Sequence, residues 1–491
     1  MTALMNRSAA NPLRGALKLG GSNAFDYALQ FALPVILARS LSSEQFGEYR
    51  LLWLITNTLM GIAPLYMPQS LFYFLPRHEG AGRAGYVANV FWFLVASGVL
   101  ATALGALYVN HVGPSGGRMQ ADTLLISCFL CMWVISSLIE WLANAEGRVG
   151  VQAVITVSLS LARTLLVGPI AWWSGDIVSV YWALACFAAL RLVLLLWLIV
   201  GRYGTAGLLP DWRGSGRQLT YAMPFGIAGG LYVLRQQADQ WIVASLFDLT
   251  LLAAMGVAGV VAPLAGLVRQ AISNAVLPAM NRSHGQGDST AAIRLNRQSN
   301  SLTAVVLMPI VAFLFVFAEE VISLVYTPTY VAAAQPMRVY LLGLLGQTLV
   351  VNNLLIIYAQ GRFQLRVNLI FLGLSVVLSL IGALQYGLAG AAFGTAVAQW
   401  GSHLVSIRRV MQLTACRVSA ILDLALFWQA GLAVSGAAGT AWLLDRAGVL
   451  AVEGALWHLI LAGAVFCVPL ALAAWRLPRL RAAMALVRRS T

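Results

Sequence analysis

The sequence predicts an all-α integral membrane protein of about fourteen transmembrane helices, with both termini in the cytoplasm. Three observations support this fold class. Of the 491 residues, 60% are hydrophobic and only 10% are charged. The hydrophobic residues fall into about fourteen runs, each near the ~20 residues that a helix needs to cross a bilayer. Basic residues gather before the first run and after every second run, which is the positive-inside pattern of an even number of helices.

The predicted spans form two pseudo-symmetric lobes of six helices and a C-terminal pair. Residues 1–210 form the N-terminal lobe, residues 211–415 the C-terminal lobe, and residues 416–491 the last two helices with a basic cytoplasmic tail. A weak repeat supports two lobes, since Leu75-Pro76 and Leu277-Pro278 close corresponding helix pairs. The predicted spans are about 16–38, 50–74, 85–109, 122–142, 150–173, 178–200, 220–246, 251–279, 300–325, 337–359, 367–386, 389–411, 424–444 and 455–475.

The net charge of +14 follows from this topology. Most of the 31 basic residues fall on the predicted cytoplasmic side, where they can also attract anionic lipid headgroups. Membrane lipids are therefore the expected partner of this charge, and no nucleic-acid partner is expected. The basic residues predicted to lie on the far side are Arg39, Arg50, Arg118, Arg338 and Arg446.

The motifs of several enzyme classes are absent from the sequence. The only lysine, Lys18, lacks the glycine-rich context of a nucleotide-binding P-loop. No connection exceeds about twenty residues, and neither a metalloprotease nor a serine-hydrolase motif occurs. We therefore expect a transporter with no cofactor and no metal site. The enzyme alternative is an integral-membrane glycosyl transferase or ligase, and the short connections argue against it.

Polar residues within the predicted spans are the candidates for a transport site, because each is costly in lipid and normally faces a cavity or a partner. Arginines outnumber acidic residues among them, which predicts a cationic lumen and an anionic passenger such as a phosphate. The substrate-binding candidates are Arg163, Arg191, Arg235, Arg269, Gln237, Gln270 and Asn274.

Two acidic residues are candidates for coupling transport to an ion gradient. Asp239 lies four residues after Arg235, on the same helical face, and the two side chains can pair. Asp26 has no arginine on its own helical face and precedes the kink expected at Pro34. Burial of an unpaired carboxyl favours its protonated form, so Asp26 is the stronger candidate to load and release a proton.

The segment from Phe31 to Leu52 resembles the first helical hairpin of polysaccharide-transporter proteins, the Wzx-type flippases. These belong to the multidrug/oligosaccharidyl-lipid/polysaccharide exporter superfamily. In that family the first helix ends in a Leu-Ala-Arg-x-Leu turn, here Leu37 to Leu41, and a Phe-Gly-x-Tyr motif opens the second helix, here Phe46 to Tyr49. The second lobe contains only part of the corresponding hairpin motif, since Ala254-Met255-Gly256-Val257 replaces the glycine–tyrosine motif.

This resemblance implies a flippase that carries undecaprenyl-diphosphate-linked oligosaccharide units from the cytoplasmic to the periplasmic leaflet of the bacterial inner membrane. It implies alternating access coupled to an ion gradient, in the assembly of O-antigen, exopolysaccharide or capsule. A polysaccharide polymerase and a chain-length regulator would be partners.

Two alternatives from the same superfamily remain open. In a lipid II flippase, arginines on the first, second and eighth helices surround the diphosphate. Here the eighth helix carries Arg269, but the first carries Asp26 at its middle. In a cation-coupled multidrug exporter, an acidic residue near a proline bend on the first helix accepts a proton, and Asp26 with Pro34 fits that pattern. Such exporters usually have twelve helices.

Overall fold

The computed structural model describes residues 28–111, 122–450 and 454–478, with the single residues 452 and 481. Within these ranges the chain is helical and contains no strand. The helices before residue 247 are α1 (Ala28–Ser40), α2 (Ser43–Ile62), α3 (Met67–Phe74), α4 (Ala81–His111), α5 (Thr123–Ser136), α6 (Leu142–Ala145), α7 (Val149–Ser174), α8 (Ile177–Tyr203) and α9 (Trp212–Leu246). The helices after it are α10 (Leu249–Ala258), α11 (Ala262–Gly285), α12 (Ser289–Val316), α13 (Ala318–Val325), α14 (Ala334–Leu344), α15 (Asn352–Ile357), α16 (Gly361–Thr414), α17 (Val418–Ile421), α18 (Leu424–Arg446) and α19 (Ala455–Arg476).

The chain divides into two compact units. Unit 1 comprises Met1–Gln237 and Ala244–Ala253, and unit 2 comprises Ala238–Val243 and Ala254–Thr491. In unit 1, α5 packs between α4 and α8, and α7 packs against α8. In unit 2, α11 packs against α12, α14 against α16, and the pair α18–α19 is joined to the unit through α12. The predicted pseudo-symmetry of two lobes divided near residue 210 stays a prediction.

Ten helical segments of the described ranges are long and apolar enough to cross a membrane, which confirms a multi-pass helical protein. The predicted spans outside these ten have physical explanations. The described part of α1 is short, α9 is rich in polar residues, and the segment from α14 to α15 is interrupted by a 3-10 turn at Leu345–Leu349. The long helix α16 contains two predicted spans. The count of fourteen and the cytoplasmic termini stay predictions.

The helix α16 is a helical hairpin that reverses at Gly387, where φ is 62° and the backbone is not helical. A Cβ on Gly382 would lie 2.2 Å from the carbonyl oxygen of Gly390, so the two legs touch backbone to backbone. Further along, the hydroxyls of Ser375 and Thr395 lie 3.3 Å apart. These pairs show that the legs run antiparallel, as the adjacent predicted spans 367–386 and 389–411 require.

Replacing Gly390 by valine is expected to destabilise the protein strongly. The added Cβ would lie 2.0 Å from the carbonyl oxygen of Gly382, and that backbone cannot move away without opening the hairpin. Gly373→Ala on the same helix is the matched control, because a Cβ there meets open space. We expect the thermal midpoint in detergent to fall by several degrees for the first variant only. Equal midpoints for both variants would contradict the close approach.

The first hairpin begins with a capping box at Ser42, whose side chain accepts from the backbone N–H of Gln45 while the Gln45 side chain accepts from the Ser42 N–H. Gly47 follows on α2, and a Cβ there would lie 2.0 Å from the carbonyl oxygen of Leu249. The neighbouring Phe46 is fully buried. The Phe-Gly motif of this hairpin is therefore a requirement of close helix packing within unit 1.

The positive-inside sorting gives a direct test of topology. Alkaline phosphatase fused after Gly448 should be active, because the turn after α18 is predicted to be periplasmic. The same enzyme fused after Gly204 should be inactive, and green fluorescent protein should show the opposite pattern at both sites. Cytoplasmic behaviour at Gly448, or periplasmic behaviour at Gly204, would disprove the fourteen-helix topology.

Candidate functional site: an arginine cavity and a buried arginine cluster

A cavity of about 310 Å³ lies within unit 1 and contains two of the predicted arginines, Arg163 and Arg191. Its walls come from α1, α5, α7, α8 and the 3-10 turn Ser137–Glu140. Aromatic rings and small hydroxyl side chains complete the lining. The lining residues are Gln30, Trp133, Glu140, Trp141, Thr156, Leu159, Ser160, Arg163, Phe187 and Arg191.

Arg191 on α8 is held from two sides. Its guanidinium donates to the carboxylate of Glu140 at 2.7 Å and lies 4.2 Å from the centre of the Trp133 ring. The arginine side chain is 3% exposed, whereas that of Glu140 is 45% exposed. Arg191 therefore has an acidic partner within the cavity. Glu140 lies 51 residues away in sequence, and the 3-10 turn at the end of α5 brings it to the cavity.

Arg163 on α7 forms no ion pair within the described part of the chain. Its guanidinium lies 5.4 Å from the centre of the Trp53 ring, and its Nε atom is buried without a hydrogen-bond partner. The described cavity lining thus holds two guanidinium groups and one carboxylate. This balance leaves the cavity with a net positive charge, which suits an anionic ligand.

Arg269 on α11 lies in a separate polar cluster inside unit 2. Its Nη1 donates to Asn300 Oδ1 at 2.9 Å and to Ser299 Oγ at 3.3 Å, and its Nη2 donates to the carbonyl oxygen of Val350 at 3.3 Å. The side chains of Asn296, Ser299 and Asn300 are fully buried on one face of α12. All three acceptors are neutral, so the positive charge of Arg269 is hydrogen-bonded without being neutralised.

Asp239 on α9 is fully buried and accepts a hydrogen bond of 2.6 Å from the hydroxyl of Tyr340. The predicted pairing of Asp239 with Arg235 is wrong, because the carboxylate is oriented to α14 instead. On the preceding turn, Arg235 is buried next to the Tyr232 ring, and its Nε and Nη1 atoms have no hydrogen-bond partner in the described chain.

The remaining candidates for the transport site do not form a cluster with one another in the described residues. The side chain of Gln237 accepts a hydrogen bond of 2.5 Å from the Thr58 hydroxyl in unit 1. Gln270 is exposed on α11. Asn274 belongs to α11 by its backbone, and its side chain is outside the description. Asp26 lies outside the described residues.

The sequence analysis did not identify the neutral hydrogen-bond acceptors of Arg269. The polar residues Asn296, Ser299, Asn300 and Thr303 recur at spacings of three and four, which was a readable signal for one buried polar face on α12. No comparable signal links Trp133 to Arg191, because cation–π contacts depend only on tertiary packing.

The apolar helices and the charged interior define a polytopic membrane protein, and comparisons with known proteins place it in a family. The sequence model of the family described as "Lipid II flippase MurJ" matches residues 87–447. Because this match covers well over half of the chain, the protein belongs to the MurJ lipid II flippase family. The comparison with curated protein sequences gave no match.

Solved structures show the same fold at low sequence identity. The structure described as "Lipid II flippase MurJ, inward closed conformation" has a TM-score of 0.73 at 14% identity, covering 93% of this chain and 97% of that chain. An inward-facing multidrug resistance MATE family transporter of the MOP superfamily has a TM-score of 0.60 at 12% identity, covering 81% and 94%. A MOP superfamily transporter from Pyrococcus furiosus has a TM-score of 0.60 at 13% identity, covering 84% and 96%.

These findings correct the prediction of a Wzx-type polysaccharide flippase. The family match selects the lipid II flippase alternative, and a passenger destined for O-antigen, exopolysaccharide or capsule is not supported. The polymerase and chain-length regulator expected as partners are likewise not supported. The family and the apolar helices agree with a multi-pass protein of the bacterial inner membrane.

Proposed function

We propose that the protein is a flippase that moves lipid II, the lipid-linked peptidoglycan precursor, from the cytoplasmic to the periplasmic leaflet, and that it catalyses no covalent chemistry. The family match over residues 87–447 is the observation that carries this proposal. Lipid II joins a long prenyl tail to a sugar–peptide headgroup through a diphosphate. A diphosphate cannot cross hydrocarbon unaided, so a flippase must offer it a polar and preferably cationic route.

The arginines of this chain support such a route. The cavity of unit 1 offers Arg163 and Arg191 against the single carboxylate of Glu140. In the described part of unit 2, the hydrogen-bond acceptors of Arg269 are all neutral, and a phosphate oxygen forms stronger charge-assisted hydrogen bonds than those acceptors do. Arg235 has two nitrogen atoms without hydrogen-bond partners in the described chain. We assign these four arginines to binding the anionic headgroup, with Gln237, Gln270 and Asn274 as polar contacts.

The energy for transport would come from an ion gradient, because the sequence lacks a P-loop for ATP. Asp239 and Asp26 are the coupling candidates. Asp239 is buried at the hydroxyl of Tyr340, where loading of a proton or a metal cation would change the bond between α9 and α14. Alternating access, fourteen helices and two cytoplasmic termini complete the proposal.

Depletion of the resident lipid II flippase in a bacterial host tests the function. Expression of this chain should restore growth, and an impermeant probe should again detect lipid II at the periplasmic face. A parallel host that lacks its polysaccharide repeat-unit flippase should not be rescued. Rescue of that second host, with no recovery of lipid II at the periplasmic face, would overturn the proposal.

A further inference from the structure

Asn300 on α12 contacts the buried arginine of unit 2 through one side of its amide. Its Oδ1 accepts a hydrogen bond of 2.9 Å from Nη1 of Arg269. Its Nδ2 is buried and has no hydrogen-bond partner in the described chain. The Asn300 side chain is fully buried, and Arg269 is 7% exposed. Within the described residues, the amide oxygen therefore makes the only hydrogen bond of this side chain.

Fold stability alone would favour an aspartate at this position. A carboxylate has nearly the same shape as the amide, and its bond to Arg269 would be a stronger charge-assisted one. The exchange would also remove the Nδ2 donor, whose burial without a partner is costly. Arg269 forms no ion pair within the part of the chain that the structure describes, so the carboxylate would give its buried charge a counter-ion.

A second amide on the same face of α12 is also less stable than an alternative side chain would be. Asn296 lies one turn before Asn300 and is fully buried. Neither its Oδ1 nor its Nδ2 has a hydrogen-bond partner among the described residues. Buried amides with unpaired atoms lower the stability of a fold, and such departures from the most stable choice are expected at functional sites. The two asparagines therefore indicate a functional requirement for neutral polar groups beside Arg269.

Two further neutral acceptors fix the orientation of Arg269. Ser299 Oγ lies 3.3 Å from its Nη1, and the carbonyl oxygen of Val350 lies 3.3 Å from its Nη2. Val350 directly follows the 3-10 turn Leu345–Leu349 and has an extended backbone, with ψ of 129°. A guanidinium carries more N–H donors than these bonds use. The bonds therefore hold the planar group in place and leave donors and charge for an anionic ligand.

We infer that Asn300 is a positioning residue for Arg269: its amide oxygen orients the guanidinium and leaves the positive charge unneutralised for the phosphate groups of the transported lipid. Arg269 contacts the ligand, and Asn300 acts through Arg269. A carboxylate at this position would compete with the phosphates for the guanidinium. The inference rests on the proposed function, which assigns Arg269 to the anionic headgroup.

Binding of undecaprenyl diphosphate to the purified full-length protein, measured together with the melting temperature, tests the inference. Asn300→Asp keeps the bond and neutralises Arg269, so the affinity should fall about tenfold or more while the melting temperature does not fall. Asn300→Leu keeps a similar side-chain volume and removes the acceptor. Its melting temperature should fall, and its affinity should fall by a smaller factor because the charge of Arg269 remains. The two variants should therefore rank in opposite order for affinity and for stability.

Asn89→Asp on α4 is the matched control. The Asn89 side chain is 4% exposed, and its Oδ1 accepts a hydrogen bond of 2.8 Å from the backbone N–H of Asp211. Its Nδ2 is likewise buried without a partner in the described residues. The same exchange therefore introduces a buried carboxylate in unit 1 without the loss of a hydrogen bond. We expect it to leave the affinity for undecaprenyl diphosphate unchanged.

Wild-type affinity in Asn300→Asp would overturn the inference, because the charge of Arg269 would then not be used. Wild-type affinity in Asn300→Leu would overturn it as well, because the bond would then not orient the guanidinium. Affinities that follow the melting temperatures would show a role in stability alone, and an equal loss in Asn89→Asp would show a general effect of an added charge. These results leave the proposed function intact. If the wild-type protein binds neither undecaprenyl diphosphate nor lipid II, the proposed function fails and the inference fails with it.

Discussion

Replacing Arg269 by alanine is expected to abolish lipid II flipping. The variant loses the positive charge of the buried polar cluster around Arg269 and leaves the acceptors on Asn300 and Val350 without this donor. Each buried acceptor left unpaired costs about 1–3 kcal/mol, so the protein should also melt at a lower temperature. Flipping per inserted molecule, measured in proteoliposomes with fluorescent lipid II, separates the loss of function from the loss of stability.

Arg269→Lys is the informative control. A lysine keeps the positive charge and cannot reproduce the forked donation to Ser299, Asn300 and the Val350 carbonyl. We expect its melting temperature to lie between those of the wild type and the alanine variant, with flipping reduced about tenfold or more. Wild-type flipping by Arg269→Ala would remove this residue from the site, and full rescue by lysine would show that charge alone is sufficient.

The sequence predicted the helical class and the buried arginines because both depend on composition along the chain. The thickness of the hydrocarbon layer sets the length of the spans, and a charged residue within a hydrophobic span is easily identified in the sequence. The partners of those arginines depend on packing between distant segments. Glu140 meets Arg191 only because a 3-10 turn ends α5, and the carboxylate of Asp239 meets Tyr340 across 101 residues. Spacing along one helix pointed to Arg235 as the partner of Asp239.

The motif of the first hairpin led to a wrong prediction of the transported lipid, and the reason is physical. Gly47 is needed because α2 passes the Leu249 backbone too closely for any side chain, and Ser42 caps that helix. Both features belong to helix packing in unit 1 and neither contacts the proposed cationic cavity. A motif fixed by packing can recur in every protein that shares the fold. It therefore indicated the shared fold and carried no information about the transported lipid.

Replacing Arg191 by alanine is expected to lower lipid II flipping more than tenfold, because the cavity of unit 1 would lose one of its two guanidinium groups and Glu140 would lose its partner. The matched control is Arg202→Ala on the same helix. Arg202 also pairs with a glutamate, Glu146, at 3.4 Å, but its side chain is 56% exposed and lies outside the cavity. Exposed ion pairs contribute little, so this control should flip lipid II at nearly the wild-type rate.

The Glu140→Gln variant distinguishes an anion site from a structural ion pair at the same position. If Arg191 receives the diphosphate, the carboxylate of Glu140 competes with that ligand, and an amide there should raise the affinity for undecaprenyl diphosphate. Slower release should then lower the flipping rate although binding is tighter. If the pair only stabilises unit 1, Glu140→Gln should lower the melting temperature and leave the affinity unchanged. Equal flipping by Arg191→Ala and Arg202→Ala would likewise exclude the cavity from the transport route.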